Sequence, residues 1–322
     1  MLMEPRSTWW LFLSVVILLS PDNAFCDGPK AIPTKAGAAI CTLSKTLKDV
    51  TPWATQQVEN AAAKITHLEM KLLEWQTKFI QSKSKGIGAE ACKITGLLFR
   101  QVGKEIERAR KEVEKLEKEA SKAAAFAANS AGRLDEFITV FANAKGESSN
   151  YCMGDNSAAK PEDLRDCFSR PDFGEESLVD IGENAGGKEP NLGTAIEGIK
   201  HTSLKDNFGG GSSAGCNLIK GNTGGILGKT YLEKSLWWGG GVLTIGKKFE
   251  GVLSTSSLIA GEIVNATDDK ATWTADPAQH IVHLKNSSDA FKAFKAVQEK
   301  IKEKVESIED KNSSCMGRTG IG

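Results

Sequence analysis

The sequence predicts a mainly α-helical protein: an elongated three-helix bundle, made of a long antiparallel helical hairpin plus a C-terminal helix, with an irregular glycine-rich head containing a few short strands. Three observations predict this fold. Apolar residues recur at spacings of three and four along two long segments, and the same spacing returns near the C-terminus. Between these regions, residues 151–261 hold two-thirds of the 32 glycines. Because glycine weakens helices and frees the backbone for turns, that interval is expected to be irregular.

Residues 1–26 have the pattern of a secretory signal peptide. Arg6 precedes an apolar run of roughly ten residues, and the small-residue site Ala24-Phe25-Cys26 follows. Such a run is too short to span a bilayer, although a buried first helix is an alternative. Removal of this segment would leave six of the seven cysteines. An even number in an oxidising compartment favours three disulfides.

Residues 27–150 are expected to form the helical hairpin. The apolar spacing extends over residues 58–79, stops at a polar break over residues 82–88, and resumes over residues 102–141. Two arms of roughly 40 to 50 residues, at the helical rise per residue, would each be about 60 to 75 Å long. The molecule is therefore expected to be elongated.

Residues 151–280 are expected to form the head, with loops at glycine runs such as Gly209-Gly-Gly211 and short strands such as Leu236 to Ile245. A third helix is predicted over residues 281–311, so that residues 27–311 form one folded unit. A polar tail, residues 312–322, follows. This tail lacks the hydrophobic stretch that a glycolipid anchor requires, so we expect the chain to be secreted or held at a surface by another molecule.

The bundle geometry predicts where the cysteines lie. Cys92 near the start of the second helix and Cys315 near the end of the third would both lie at the end remote from the head, so we expect them to pair. The remaining four would pair among themselves near the head, in one of three arrangements: Cys41, Cys152, Cys167 and Cys216. Three glycosylation sequons, at Asn265, Asn286 and Asn312, agree with passage through the secretory pathway.

Composition and motifs argue against several classes of function. The 41 basic and 41 acidic residues balance, whereas nucleic acids and anionic membranes select a basic excess. His280 and His283, with Asp276 nearby, could hold a metal on a helix, but a third convergent ligand is not evident. No nucleophile elbow and no phosphate-binding loop with its lysine occurs. We therefore expect no enzyme, no metal and no cofactor.

Recognition is expected in the head, because a rigid scaffold commonly presents irregular loops at one end for binding. The aromatic pair Trp237-Trp238 could anchor an interface, but a structural role at the join between head and bundle is favoured. The two long polar loops at 200–214 and 220–234 are better candidates. The predicted binding residues there are Lys200, Lys205, Asn207, Lys220, Asn222, Thr223, Lys229 and Tyr231.

Five ordered blocks of sequence resemble one known family. They begin at Cys41-Thr-Leu-Ser-Lys-Thr-Leu, Ala131-Gly-Arg-Leu-Asp-Glu-Phe, Gly215-Cys-Asn-Leu-Ile, Trp238-Gly-Gly-Gly-Val-Leu and Trp273-Thr-Ala-Asp-Pro. In this order they are similar to the trypanosome transferrin receptor subunits and the related procyclin-associated proteins. Both groups belong with the A-type variant surface glycoprotein amino-terminal domains. The likeness extends over residues 38–310, nearly the whole mature chain.

The resemblance implies a non-enzymatic surface receptor subunit of a trypanosome. Such a subunit would form a heterodimer with a glycolipid-anchored homologue and would associate with the membrane only through it. The pair would bind host transferrin, or another serum glycoprotein, through head loops and take it up at the cell surface or flagellar pocket. The alternative is a procyclin-associated or variant-surface-glycoprotein-like surface protein that does not bind transferrin. Without an anchored partner, the chain would be secreted.

Overall fold

The computed structural model describes residues 31–83, 89–146, 150–184, 187–208, 216, 218–219, 235–247, 261–265 and 269–316. Side chains are described in these ranges except at 82–83, 89–95, 246–247, 261–265, 269–270 and 311–316. The predicted signal peptide, residues 1–26, lies outside them. The α-helices in these ranges are α1 (Thr34–Lys48), α2 (Val50–Lys83), α3 (Ala89–Asn143), α4 (Leu192–Gly198), α5 (His201–Phe208), α6 (Pro277–His280) and α7 (Val282–Met316).

Helices α2 and α3 form an antiparallel hairpin. Phe79 of α2 packs on Phe99 of α3 with ring centroids 5.5 Å apart, and Glu69 pairs with Arg110 further along both helices. At 55 residues α3 is about 80 Å long, given a rise of about 1.5 Å per residue. Ala109, Leu116 and other apolar residues recur on one buried face of α3, as the sequence pattern requires.

Helix α7 lies antiparallel to α3 and completes the bundle. Ser287 approaches Ser130 near the head, with 2.8 Å between their hydroxyl oxygens, and Lys304 pairs with Glu112 at 3.1 Å further from it. On its other side, Phe294 of α7 packs edge-on against Trp53 of α2. The predicted mainly helical bundle is confirmed. The helix extends to Met316, beyond the predicted end at residue 311.

A four-stranded antiparallel sheet lies in the head. Its strands are β1 (Leu236–Trp238), β2 (Leu243–Lys247), β3 (Gly261–Asn265) and β4 (Asp269–Trp273), in the order β1-β2-β4-β3. The prediction of one strand from Leu236 to Ile245 was wrong, because a turn separates β1 from β2. Gly239, Gly240 and Gly241 form this turn with φ of 58°, 68° and 117°. Residues other than glycine rarely adopt these angles, so the glycine run makes this hairpin turn possible.

One disulfide joins the head to the bundle, and a second lies within the head. Cys41 of α1 pairs with Cys167, and Cys152 pairs with Cys216. This is one of the three arrangements left open by the sequence. The side chains of Cys92 and Cys315 lie outside the described side chains, so their pairing stays a prediction.

Candidate functional site

The join between the head and the bundle is organised around Trp273, the last residue of β4. Its side chain is fully buried, and its indole Nε1 donates a hydrogen bond of 2.7 Å to the carbonyl of Ile199. Its ring centroid lies 5.2 Å from that of Phe208 in α5 and 6.3 Å from that of Phe137 in α3. One side chain therefore connects the sheet, the segment before α5 and the longest helix.

The predicted binding loop at 200–214 is largely helical where the structure describes it. Helix α5 forms because Leu204 and Phe208, one helical turn apart, are both buried. His201 stacks on Phe208 with ring centroids 5.3 Å apart, so the first and last side chains of the helix are in contact. The expectation of a loop over residues 201–208 was wrong. The stretch from His201 to Phe208 is only two helical turns long and glycine-rich sequence follows it. Its apolar spacing was therefore too short to predict a helix.

Three of the eight predicted binding residues lie on or beside α5. Lys205 is exposed and Asn207 is half-buried. Lys200 pairs with Glu197, with 2.6 Å between Nζ and the carboxylate. The hydrogen bond that Lys200 donates to the Glu197 carboxylate raises the pKa of Lys200. The other five predicted residues lie outside the described residues: Lys220, Asn222, Thr223, Lys229 and Tyr231.

The two tryptophans of β1 have different surroundings. Trp238 packs edge-on against Phe141 of α3, with ring centroids 5.2 Å apart, and so seals part of the join. Trp237 points to the other face of the strand and is 60% exposed. Exposed tryptophans are common anchors of protein interfaces, so Trp237 belongs among the candidate recognition residues.

His283 of α7 fills a cradle formed by the glycine turn. Its Nε2 donates to the carbonyl of Gly239 at 2.9 Å, which places the proton on that nitrogen. A Cβ on Gly240 would lie 2.4 Å from the imidazole, so only glycine leaves room for the ring. Burial lowers the pKa of His283; the nearby Arg133 lowers it further, and the bond to Gly239 opposes them. Among the residues that the structure describes, its buried Nδ1 has no hydrogen-bond partner.

We expect the free energy of unfolding to fall as the pH decreases from 7.5 to 5. In the unfolded chain the histidine has a pKa near 6.5 and takes up a proton below that pH, whereas native His283, with its lowered pKa, stays neutral. The contribution of His283 to the free energy of unfolding is therefore fully present above pH 6.5 and is lost progressively below it. Burial lowers the pKa of His201 in the same direction. For His283 the slope is at most about 1.4 kcal/mol per pH unit.

Urea denaturation across this pH range measures the effect. His283→Gln is expected to flatten the decline, whereas His67→Gln, at an exposed position of α2, should leave it unchanged. An equal slope in the wild type and His283→Gln would contradict this role of His283.

His280 and His283, the two possible metal ligands, do not lie on one helix. Helix α6 ends at His280, and Ile281, with φ of −92° and ψ of 100°, interrupts the helical backbone before α7. His283 is bonded to the glycine turn, and His280 Nδ1 lies 3.2 Å from the carbonyl oxygen of Asp276. In the side chains that the structure describes, no group of three potential metal ligands occurs.

A buried ionic network in α1 and α3 was missed from the sequence. Lys48 Nζ lies 2.7 Å from Asp135 Oδ2, and Ser44 Oγ donates to Asp135 Oδ1 at 2.6 Å. Lys48 also donates to the carbonyl of Val179 in the head. A signal was present: Ser44 and Lys48 occupy the same helical face as Ile40 and Leu47, where a polar residue requires a buried partner.

A group of exposed apolar residues lies at the end of the hairpin remote from the head. Met70, Leu73 and Ile80 of α2 and Leu97 of α3 are each 64–67% exposed. The buried residues of α2, such as Leu68, lie on the opposite side of the helix. We call these four residues the distal apolar group. Exposed apolar residues that form a contiguous patch are typical of association sites.

Of the glycosylation sequons, only Asn286 has a described side chain. It is exposed on α7, where a glycan would project into solvent. The side chains of Asn265 and Asn312 lie outside the described side chains. Among the described residues, no helix is both long enough and apolar enough to cross a membrane.

Comparison with known proteins places these features in a family. The family model of the trypanosome variant surface glycoprotein (A-type) matches residues 28–313. Variant surface glycoprotein MITAT 1.5 of Trypanosoma brucei brucei is 27% identical over 274 residues, covering 82% of this chain and 56% of that protein. The chain thus spans little more than half the length of this curated relative.

A solved structure supports the same fold. The structure of MITat 1.1 superposes with a TM-score of 0.54 at 15% identity, covering 82% of this chain and 69% of that one. At this identity the likeness concerns the fold alone. The family match over nearly all described residues is more specific, and the resemblance inferred from the sequence is confirmed at this level: the chain belongs to the A-type trypanosome variant surface glycoprotein family.

Proposed function

We propose that this protein is a non-enzymatic structural glycoprotein of the trypanosome cell surface. The observation that carries the proposal is the bundle, in which a helix of about 80 Å is flanked by two further long helices and carries the head at one end. Such a rod separates the head from the opposite end. The two disulfides suit an extracellular environment, because they persist where the surroundings are oxidising.

Surface labelling of trypanosomes tests this proposal. Antibodies raised against the purified protein are expected to stain live, unpermeabilised cells, and a membrane-impermeant biotin reagent should label the protein. An intracellular enzyme stained in the same cells controls for leakage. Staining that appears only after permeabilisation would overturn the surface assignment.

The second candidate is a receptor subunit that, with a glycolipid-anchored homologue, binds host transferrin or another serum glycoprotein for endocytic uptake. Two observations favour it. The distal apolar group offers a surface on which a homologous chain could pack, and the head exposes Trp237 together with Lys205. Exposed aromatic and charged side chains are typical of protein-binding surfaces. The structural function requires neither transferrin nor an anchored homologue, so experiments with these two partners can distinguish the candidates.

Binding measurements with transferrin separate the candidates. The receptor proposal expects a heterodimer when the chain is produced together with an anchored homologue, and micromolar or tighter binding of this pair to immobilised transferrin. Lys205→Glu in α5 should weaken that binding by about tenfold if a charged contact is lost. Lys145→Glu, an exposed lysine near the end of α3, is the matched control. Absence of both heterodimer and binding would leave the structural function alone.

A further inference from the structure

A cleft between the head and the bundle has the dimensions of a small-molecule site. It lies between residues 188–197, which include α4, and the helices α6 and α7, and its volume is about 610 Å³. Sites for small ligands commonly have volumes of roughly 300 to 1,000 Å³. The cleft is separate from α5 and β1, where recognition of a protein was considered above.

The floor of the cleft is apolar and firmly supported. Leu192 and Ile196 of α4 and Phe291 of α7 line it and are almost completely buried. Phe291 packs on Trp53 of α2, with ring centroids 5.5 Å apart, and therefore belongs to the bundle core. A floor made of core residues keeps its shape without a ligand. The free energy gained by an apolar ligand is then not offset by ordering these side chains.

The rim of the cleft carries an excess of unpaired positive charge. Five charged residues line it, and both acidic ones have partners: Glu189 pairs with Lys295 of α7, and Glu197 pairs with Lys200. Lys188 and Lys292 have no ion-pair partner among the residues that the structure describes. Two ammonium groups beside an apolar floor are complementary to a molecule with one anionic end and an apolar body.

We propose that this cleft binds a free amphipathic anion, whose apolar body lies over half-buried Ala278 and the small exposed parts of Phe291 and Leu192 and whose carboxylate or sulfonate contacts Lys188 and Lys292. The pair of Glu189 and Lys295 joins the loop to α7 and closes one side of the cleft. This binding would use neither a macromolecular partner nor the residues of the second candidate function.

Fluorescence titration with 8-anilinonaphthalene-1-sulfonate, an aromatic sulfonate, tests the proposal on the full chain. We expect saturable binding of one molecule per chain, displaced by decanoate but not by decanol, which lacks the charge. The double variant Lys188→Gln/Lys292→Gln should bind the probe about tenfold more weakly, as expected for the loss of two partly exposed charge contacts. Lys285→Gln, an exposed lysine of α7 outside the cleft, is the charge control.

A second variant blocks the cleft by volume. Gly193 lines it, and a Cβ there would meet only the Asn191 side chain, at an ordinary contact distance of 3.6 Å. Gly193→Trp should abolish displaceable binding, whereas Gly132→Trp, at an open position of α3, should not. Thermal unfolding confirms that each variant is folded, since partly unfolded chains also bind this dye. Absence of saturable binding by the wild type, or binding that both cleft variants leave unchanged, would overturn the proposal.

Discussion

Replacing Trp273 with Ala is expected to lower the free energy of unfolding by about 3 to 5 kcal/mol, the range for truncating a fully buried tryptophan. The indole contacts Phe208 and Phe137, so its removal leaves a cavity between the sheet and two helices. It also leaves the carbonyl of Ile199 without its donor. Urea denaturation followed by circular dichroism measures the loss.

Two variants distinguish the origin of this effect. Trp273→Phe keeps most of the apolar contact but removes the Nε1 donor. Its loss of stability therefore reports the missing hydrogen bond plus a cavity smaller than that of Trp273→Ala. Trp237→Ala removes an exposed tryptophan from another strand of the same sheet and should cost less than about 1 kcal/mol. Equal losses for Trp273→Ala and Trp237→Ala would contradict the view that Trp273 joins the head to the bundle.

Replacing Lys48 with Met is expected to destabilise the protein by about 3 to 5 kcal/mol, because it leaves the carboxylate of Asp135 buried without its cation. The side chains of Lys48 and Asp135 are only 8% and 11% exposed, so water cannot readily replace the lost partner. Ser44 would remain as a donor to Asp135, which keeps the loss within this range. Denaturation at pH 7 measures it.

The double variant Lys48→Met/Asp135→Leu provides the control. With both charges removed, we expect it to recover most of the stability lost in Lys48→Met, since apolar replacement of a buried ion pair is often neutral or stabilising. The exposed pair of Lys111 and Glu107, 3.3 Å apart on α3, offers a matched comparison. Lys111→Met should change the stability by less than about 1 kcal/mol. A double variant no more stable than Lys48→Met would show that the lost stability arises from packing.

The long helices could be predicted because their periodic patterns are strong. Each buried residue of α3, such as Ala109 or Leu116, falls on one helical face, so the sequence alone specifies both the helix and the face that packs. The polar break at residues 82–88 likewise marks the end of α2 at Lys83. Local spacing determines these features, and they do not depend on distant contacts.

The head could be predicted only in outline, because tertiary contacts determine its elements. Helix α5 depends on Trp273, which lies 65 positions beyond Phe208 in the chain yet packs against it. The pairing of Lys48 with Asp135, and the choice of Cys167 as the partner of Cys41, also require the folded arrangement. Spacing could identify the four cysteines near the head but could not select one of three pairings.

The two disulfides enclose overlapping stretches of chain. The first joins residues 41 and 167, the second joins residues 152 and 216, and the stretch from 152 to 167 lies within both. A single peptide-bond cleavage anywhere from residue 41 to residue 216 therefore leaves the two fragments covalently connected. A protease that cuts the polypeptide once in this interval cannot release the head from the rod, so the molecule retains its covalent continuity until the disulfides are reduced.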